Sequence, residues 1–421
     1  MKLTDVFTPG NFPVHTFVDD HLTEKQQQLK DALDSGSTLI SISGPSKSGK
    51  TVFIERSIGR DNLVQITGAG VTKVEDLWLR VFDLIGTPIH SATSTTTGSV
   101  KRVSGTGSVE GGIVFAKGAV GVSVESSSSL GNMETASLLS DYLQLLIREL
   151  KNTGMIIFVD DFHYIPRDIQ QSVAMQIKEA IRQGVKFICA SVPYHADDVI
   201  RSNPDLRGRV FSIDFQYWGN DILTKIATKG FPLLNINCSD LAVEKLASEA
   251  AGSPQLMQYL CLNACYELGV REKSDQTVEF SGSAVIMNDI CRRTVQSTDY
   301  GSVVEKMKEG PKTRGSDRKL YTTTCGWQGD VYRLLVKALS IDPPQLIFRY
   351  QPLNERITGI CFGNNYPSGS SITSACAQSA KIVNDSVGDR IVDWDSENDV
   401  FEIRDPYFLF YIRWSEVADR G

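Results

Sequence analysis

The stretch TLISISGPSKSGKTVFIERSI, residues 38–58, decides how this chain is read. TLISISG is a short apolar run closed by glycine, the pattern of a buried strand, and KTVFIERSI follows with helical spacing. Between them Gly44, Pro45, Ser46, Lys47, Ser48, Gly49, Lys50 and Thr51 satisfy G-x-x-x-x-G-K-[ST] at every fixed position. Each part has a physical task. Gly49 lets the backbone turn close to a phosphate, and successive N–H groups form an anion nest. The helix N-terminus adds its partial positive charge. Lys50 is placed to reach β- and γ-phosphates, and the Thr51 hydroxyl to ligate Mg²⁺. These eight residues therefore predict a site for a nucleoside triphosphate.

The second half of such a site is MIIFVDDF, residues 155–162. An apolar strand there would deliver Asp160 to the carboxyl edge of a sheet, where it holds Mg²⁺ through water. Asp161 would orient or polarise an attacking water. It is one methylene shorter than glutamate, so slow turnover is expected.

Outward from these two segments the chain alternates. HLTEKQQQLKDALDSG ends a helix at Gly36, NLVQITG reads as a strand, and VTKVEDLWLRVFDLIG as an amphipathic helix. METASLLSDYLQLLIREL returns to helical period, and PRDIQQSVAMQIKEAIRQG is a helix with Pro166 near its first turn. VKFICASV and RVFSIDF complete the strands. The expected fold class is α/β, a parallel P-loop sheet with helices on both faces. Residues 217–298 read as an all-helical lid and 299–319 as a polar, basic linker. Residues 320–421 show helices followed by the hairpin RIVDWDSENDVFEIRD, the outline of a winged helix. The expected divisions are 1–35, 36–216, 217–298, 299–319 and 320–421.

Within 91–131, 23 of 41 residues are Gly, Ser or Thr and five are charged, which marks an insertion in the core, read as a surface segment with a small hairpin. At 421 residues the chain is too long for one ordinary core, and its net charge of −7 gives no global pull on nucleic acid. Cys261 and Cys265 are spaced for one helix face, without nearby histidines, so no metal site is expected from the eight cysteines. The start MKLTDVFTPGNFPVHTF has no uninterrupted apolar core and no run is long enough to span a bilayer, so a cytoplasmic protein is expected. His163 after the acidic pair reads as structural, and Tyr407, Phe408, Phe410, Tyr411 and Trp414 as core.

With the cradle at 44–51 and the acidic pair at 160–161, the chain resembles the AAA+ and STAND group of P-loop ATPases. TFVDD resembles the segment that packs on adenine in that group, which implies contacts from Phe17 and Val18, although the usual Gly-Arg is missing. VKFICASVP looks like the strand that carries the sensor-one polar residue, here Ser191. LRGRVFSIDF resembles the segment that brings an arginine to the γ-phosphate, often of a neighbouring subunit: Arg209 fits best and Arg207 second. AGSPQLMQYL is similar to the lid helix opening with Gly-x-Pro, which implies Pro254 beside the nucleotide. IRDPYFLFYIRW looks like the ending of prokaryotic ATPases with a winged helix after the lid.

Three functions are open at this point. The resemblance implies an ATP- and Mg²⁺-dependent regulatory switch that hydrolyses slowly. It would change conformation or homo-oligomeric state and control a separate effector or trigger protein, in a prokaryotic defence (antiviral) or stress setting. The alternative is a DNA-loaded AAA+ ATPase of replication-initiation or transposition-regulator type. Against it, residues 351–421 carry 6 Lys/Arg and 11 Asp/Glu, and the candidate recognition helix SSITSACAQSAKIVND has only Lys381. Only 305–319 is basic, with 6 Lys/Arg against 3 Asp/Glu. A metabolic P-loop kinase is the third, disfavoured by the helical region and the extra C-terminal unit.

Overall fold

Five runs of β-branched and aromatic residues form the central sheet: β1 (Leu39–Ser43), β2 (Leu63–Thr67), β3 (Ile156–Asp160), β4 (Lys186–Ser191) and β5 (Val210–Asp214). The structure, a computed structural model, describes residues 1–36, 38–89, 141–192, 208–313, 315, 317–387 and 390–415. The insertion 91–131 and Arg207 lie outside the described residues. All five strands are parallel, in the order β2-β3-β4-β1-β5. The register sets Ser43 beside Ser191 and Asp214, and Thr67 beside Asp160, so these residues share the carboxyl edge.

Successive side chains of a strand point to opposite faces, and here both faces are covered. Ile157 and Val159 pack under α4 (Val74–Ile85), α5 (Tyr142–Leu150) and α6 (Arg167–Arg182), with Trp78, Phe82 and Phe187 fully buried beside them. Ile156 and Phe158 face the other way, against α2 (Thr23–Ser35) and α3 (Lys50–Ile58) through Leu29, Phe53 and Ile54. Each such side chain contributes about 1.5–3 kcal/mol by leaving water. This doubly covered parallel sheet is the fold class read from the alternation.

The region after β5 holds α7 (Asn220–Gly230), α8 (Asp240–Glu249), α9 (Pro254–Glu267) and α10 (Ala284–Val295). It is not all helical. Ile236–Cys238 (β6) and Val278–Phe280 (β7) pair in parallel, in runs of three residues too short to show a period in the sequence. The N-terminal division is also different from expectation. The short helix α1 (Leu3–Val6), Phe7 and Val18 are buried in the lid core, whereas α2 belongs to the sheet. Cys261 and Cys265 are both buried on α9, and among the described residues no group of three or more His, Cys, Asp or Glu could hold a metal.

Residues 299–319 are a linker only in part. Gly301–Glu309 form α11, and Val303, Val304 and Met307 are buried in the C-terminal core. The charge run hid an apolar stripe one turn long. The C-terminal unit continues with β8 (Tyr321–Thr322), β9 (Gln328–Gly329), α12 (Val331–Ser340), β10 (Ile347–Arg349), α13 (Tyr350–Ile360) and α14 (Gly369–Val387). The expected hairpin follows as β11 (Val392–Asp395) and β12 (Val400–Ile403), and β10 joins it to make a three-stranded antiparallel sheet. Its turn is held by Asp395, whose carboxylate accepts from the N–H groups of Glu397 and Asn398.

The last helix, α15 (Pro406–Trp414), bridges two cores. Tyr407 and Phe410 are buried in the lid, and Phe408, Leu409 and Ile412 in the C-terminal unit. Arg413 and Trp414 both donate to Glu249 of α8. Among the described residues no helix is long and apolar enough to cross a membrane.

Candidate nucleotide site

The loop between β1 and α3 is bounded by two positions where a side chain is excluded or strained, Gly44 and Gly49. A Cβ on Gly44 would lie 2.9 Å from the Phe215 carbonyl oxygen and collide with the Phe215 side chain. Gly49, the residue before α3, has φ 91, a left-handed conformation open to glycine. The loop between them is anchored from outside. The Trp218 indole N–H donates to the Ser48 carbonyl (3.1 Å), and the Trp218 and Pro254 rings lie under Gly49.

Lys50 folds back along the loop, its Nζ donating to the carbonyls of Gly44 and Pro45 at 2.8 Å each. Burial pulls its ammonium down to about 8, although Asp160 and Asp161 act in the opposite sense. The Thr51 hydroxyl donates to Asp160 Oδ2 (2.7 Å), and the Asp161 N–H to Asp160 Oδ1 (3.0 Å). Burial pushes the Asp160 carboxyl above its usual range, and the hydrogen bond from Thr51 works against that. A hydroxyl and a carboxylate side by side are hard oxygen donors, the set that suits Mg²⁺ completed by phosphate and water. Asp161 has φ 54 and opens the turn Phe162–Tyr164.

These residues border one cleft of ≈ 470 Å³, within the range of about 300–1,000 Å³ typical of small-molecule sites. Of the residues named from the sequence, Ser46, Lys47, Gly49, Lys50, Thr51, Asp160, Asp161, Phe17, Val18 and Pro254 line it. Gly44, Pro45 and Ser48 do not line it: the first two offer their carbonyls to Lys50 and Ser48 offers its carbonyl to Trp218. His163, read as structural, lines the cleft too. Ser191 is buried at the end of β4, and it is the next residue, Val192, that reaches the cleft.

Arg209 does not join its own cleft. It precedes β5, exposed, and its carbonyl accepts from the Leu39 N–H at the start of β1. That is the amino edge of the sheet, roughly 16 Å of strand away from the cradle. Within one chain Arg209 does not reach a phosphate there, because in a parallel sheet a residue before a strand faces away from the carboxyl edge.

The sequence reading missed the strap over the cleft. Residues 8–13 close one side of it, tied to the lid by Thr8 N–H to Gln258 Oε1 (3.2 Å) and Gln255 Nε2 to the Pro9 carbonyl (2.9 Å). Gln258 also donates to Thr16 (2.7 Å). The Phe12 and Phe17 rings stack at 5.8 Å, with Arg60 and Arg56 over them. The signal was available in part: Gln258 lies among the buried residues of α9, and a buried amide has to find partners. Nothing local marked Trp218.

No protein family and no curated protein matches the chain in sequence. Among solved structures it is similar to Cdc6p from Pyrobaculum aerophilum, with 14% identity over 99% of this chain and 98% of that one and a TM-score of 0.41. It is also similar to the Aeropyrum pernix ORC2 protein in its ADPNP–ADP complexes, with 11% identity, coverage of 99% and 97%, and a TM-score of 0.48. A Walker-type ATPase of Pyrococcus abyssi gives 12% identity, coverage of 93% and 95%, and a TM-score of 0.49. At these scores the likeness assigns no chemistry to this chain.

Proposed function

We propose that the chain is an ATPase of AAA+/STAND type that works as a nucleotide-dependent switch. The observation that carries this is the convergence of Lys50, Thr51, Asp160 and Asp161 in one cleft that the sheet, the N-terminal strap, the lid and a residue paired with the C-terminal unit all border. ATP would seat its phosphates on the N–H groups at the start of α3. Lys50 would exchange its two backbone carbonyls for phosphate oxygens. Thr51 and Asp160 would hold Mg²⁺, which neutralises phosphate charge when bound. Asp161 would orient the attacking water, and its short side chain favours slow turnover. Phe17, Val18 and Pro254 would enclose the base and sugar. Arg209, at the far edge of its own sheet, is available only to a neighbouring copy, which supports a homo-oligomeric active form.

The C-terminal unit, read as a winged helix, serves here as a packing element whose position follows the nucleotide and is passed to a partner protein. The prokaryotic defence or stress setting is carried by the sequence resemblance alone. The DNA-loaded reading is disfavoured by charge. In the basic segment, Lys308 is buried beside Glu305, and Arg318 is committed to Asp330 (2.8 Å) and the Glu309 carbonyl. Neither is a surface cation for a phosphate backbone.

The test is the solution mass of an Asp161→Asn protein, expected to hold ATP uncleaved, in ATP and in ADP, with and without duplex DNA. Binding lost in Lys50→Ala and a mass that changes with ATP, with or without a protein partner, support the switch. Assembly that needs both ATP and DNA would overturn it in favour of the loader, and absence of ATP binding would end both.

A further inference from the structure

The cradle carries two lysines, and only Lys50 belongs to the phosphate motif. Lys47 occupies a variable position, yet its backbone is left-handed, φ 62, a conformation that side-chain-bearing residues rarely adopt. Its ammonium pairs with Asp405 of the C-terminal unit (3.2 Å) and lies 4.0 Å from the centroid of the Tyr407 ring. Asp405 is 6% exposed and firmly held. It caps α15 through the Tyr407 N–H (2.9 Å) and accepts from the Tyr300 hydroxyl (2.6 Å). The Tyr217 hydroxyl, from the segment after β5, donates to the Arg404 carbonyl next door (2.6 Å). Lys47 lines the nucleotide cleft and also a second cavity of ≈ 400 Å³ between cradle, lid and C-terminal unit. Its side chain therefore borders two anionic destinations.

We infer that Lys47 is the residue that reports the triphosphate: in the empty site it latches the C-terminal unit to the cradle through Asp405, and the phosphate chain draws it away. The inference rests on the nucleotide reading above. One ammonium cannot serve both partners fully, and a triphosphate presents more negative charge than one carboxylate. Once Lys47 turns inward, Asp405 keeps its cap and the Tyr300 hydroxyl but loses its counter-ion. A buried carboxylate without a cation is costly, so the docked position of the C-terminal unit weakens. ATP then favours one arrangement over the other, the differential affinity any switch requires. By linkage, removing the latch must tighten triphosphate binding.

The experiment uses the full chain, a fluorescent non-hydrolysable ATP analogue and the matching ADP analogue, with hydrogen exchange read on residues 403–414. Asn still caps a helix, so Asp405→Asn removes the charge and keeps the fold contact. It is expected to bind the ATP analogue at least about fivefold tighter, with less gain for ADP, and to exchange faster at 403–414 with the site empty. Lys47→Gln is expected to exchange faster as well, with no gain in affinity. Unchanged affinity and exchange in both variants would overturn the latch, and equal gains in affinity in both would overturn the phosphate contact of Lys47. If the wild-type protein binds neither analogue, the nucleotide reading fails and the latch with it. Lys50-dependent binding with silent variants removes the latch alone.

Discussion

Replacing Glu249 by Gln should loosen the joint between the lid and the C-terminal unit. Arg413 is 4% exposed in its side chain and Glu249 11%, so this pair is screened from water. The guanidinium donates to Glu249 Oε1 (2.7 Å) and Oε2 (3.2 Å) and to the Ser340 carbonyl (2.9 Å), and the Trp414 indole N–H reaches Oε2 (2.6 Å). Asp342 also touches Arg413, but its side chain is 85% exposed, so its charge is well screened. Removing one partner of a buried pair costs about 3–5 kcal/mol, and the residual help of Asp342 puts this case near about 3 kcal/mol. That corresponds to roughly a hundredfold rise in local opening. Native-state hydrogen exchange of α8 and α15 reads it directly. Adding Arg413→Met to Glu249→Gln should recover most of the loss, because it removes the buried guanidinium that the neutral amide no longer compensates. Exchange that changes less than about threefold in the single variant, or a double variant as labile as the single, would refute the reasoning.

Three further outcomes follow from the site. With its ammonium lowered to about 8 by burial, Lys50 loses its proton in the empty protein as pH rises, whereas phosphate needs it charged; ATP affinity should fall about tenfold between pH 7 and pH 9, and a Lys50→Arg protein that still binds should show a flat profile. The stability effect has the opposite sense: below about 8 the buried charge opposes folding, and that penalty is relieved as pH rises from about 8 toward the unfolded value of 10.5, which denaturation at pH 7.5 and 10 compares. Trp218→Phe loses the hydrogen bond to the Ser48 carbonyl, worth about 1 kcal/mol, so ATP should bind roughly fivefold more weakly in a calorimetric titration; unchanged affinity would show that the loop holds its shape without this anchor.

What the sequence determined by itself is what local chemistry dictates. The cradle at 44–51 is legible because the motif is a run of neighbours: a strand that must be apolar, a glycine that must turn and a helix that must follow. Asp160 is legible because a fully buried strand shows as an unbroken apolar run with its polar residue at the end. The sheet and its two helical layers follow from alternation. The tertiary structure decided everything that depends on residues far apart in the chain. Only packing could show that residues 1–18 dock on the lid through Leu3, Val6, Phe7 and Val18, or that α11 belongs to the C-terminal core. Only the parallel register of β5 against β1 could move Arg209 to the wrong edge for its own cradle. Trp218 touches Ser48 across 170 residues, and Lys47 meets Asp405 across 358. Such contacts leave no period in sequence, because a hydrogen bond or an ion pair needs proximity in space and asks nothing of the residues between.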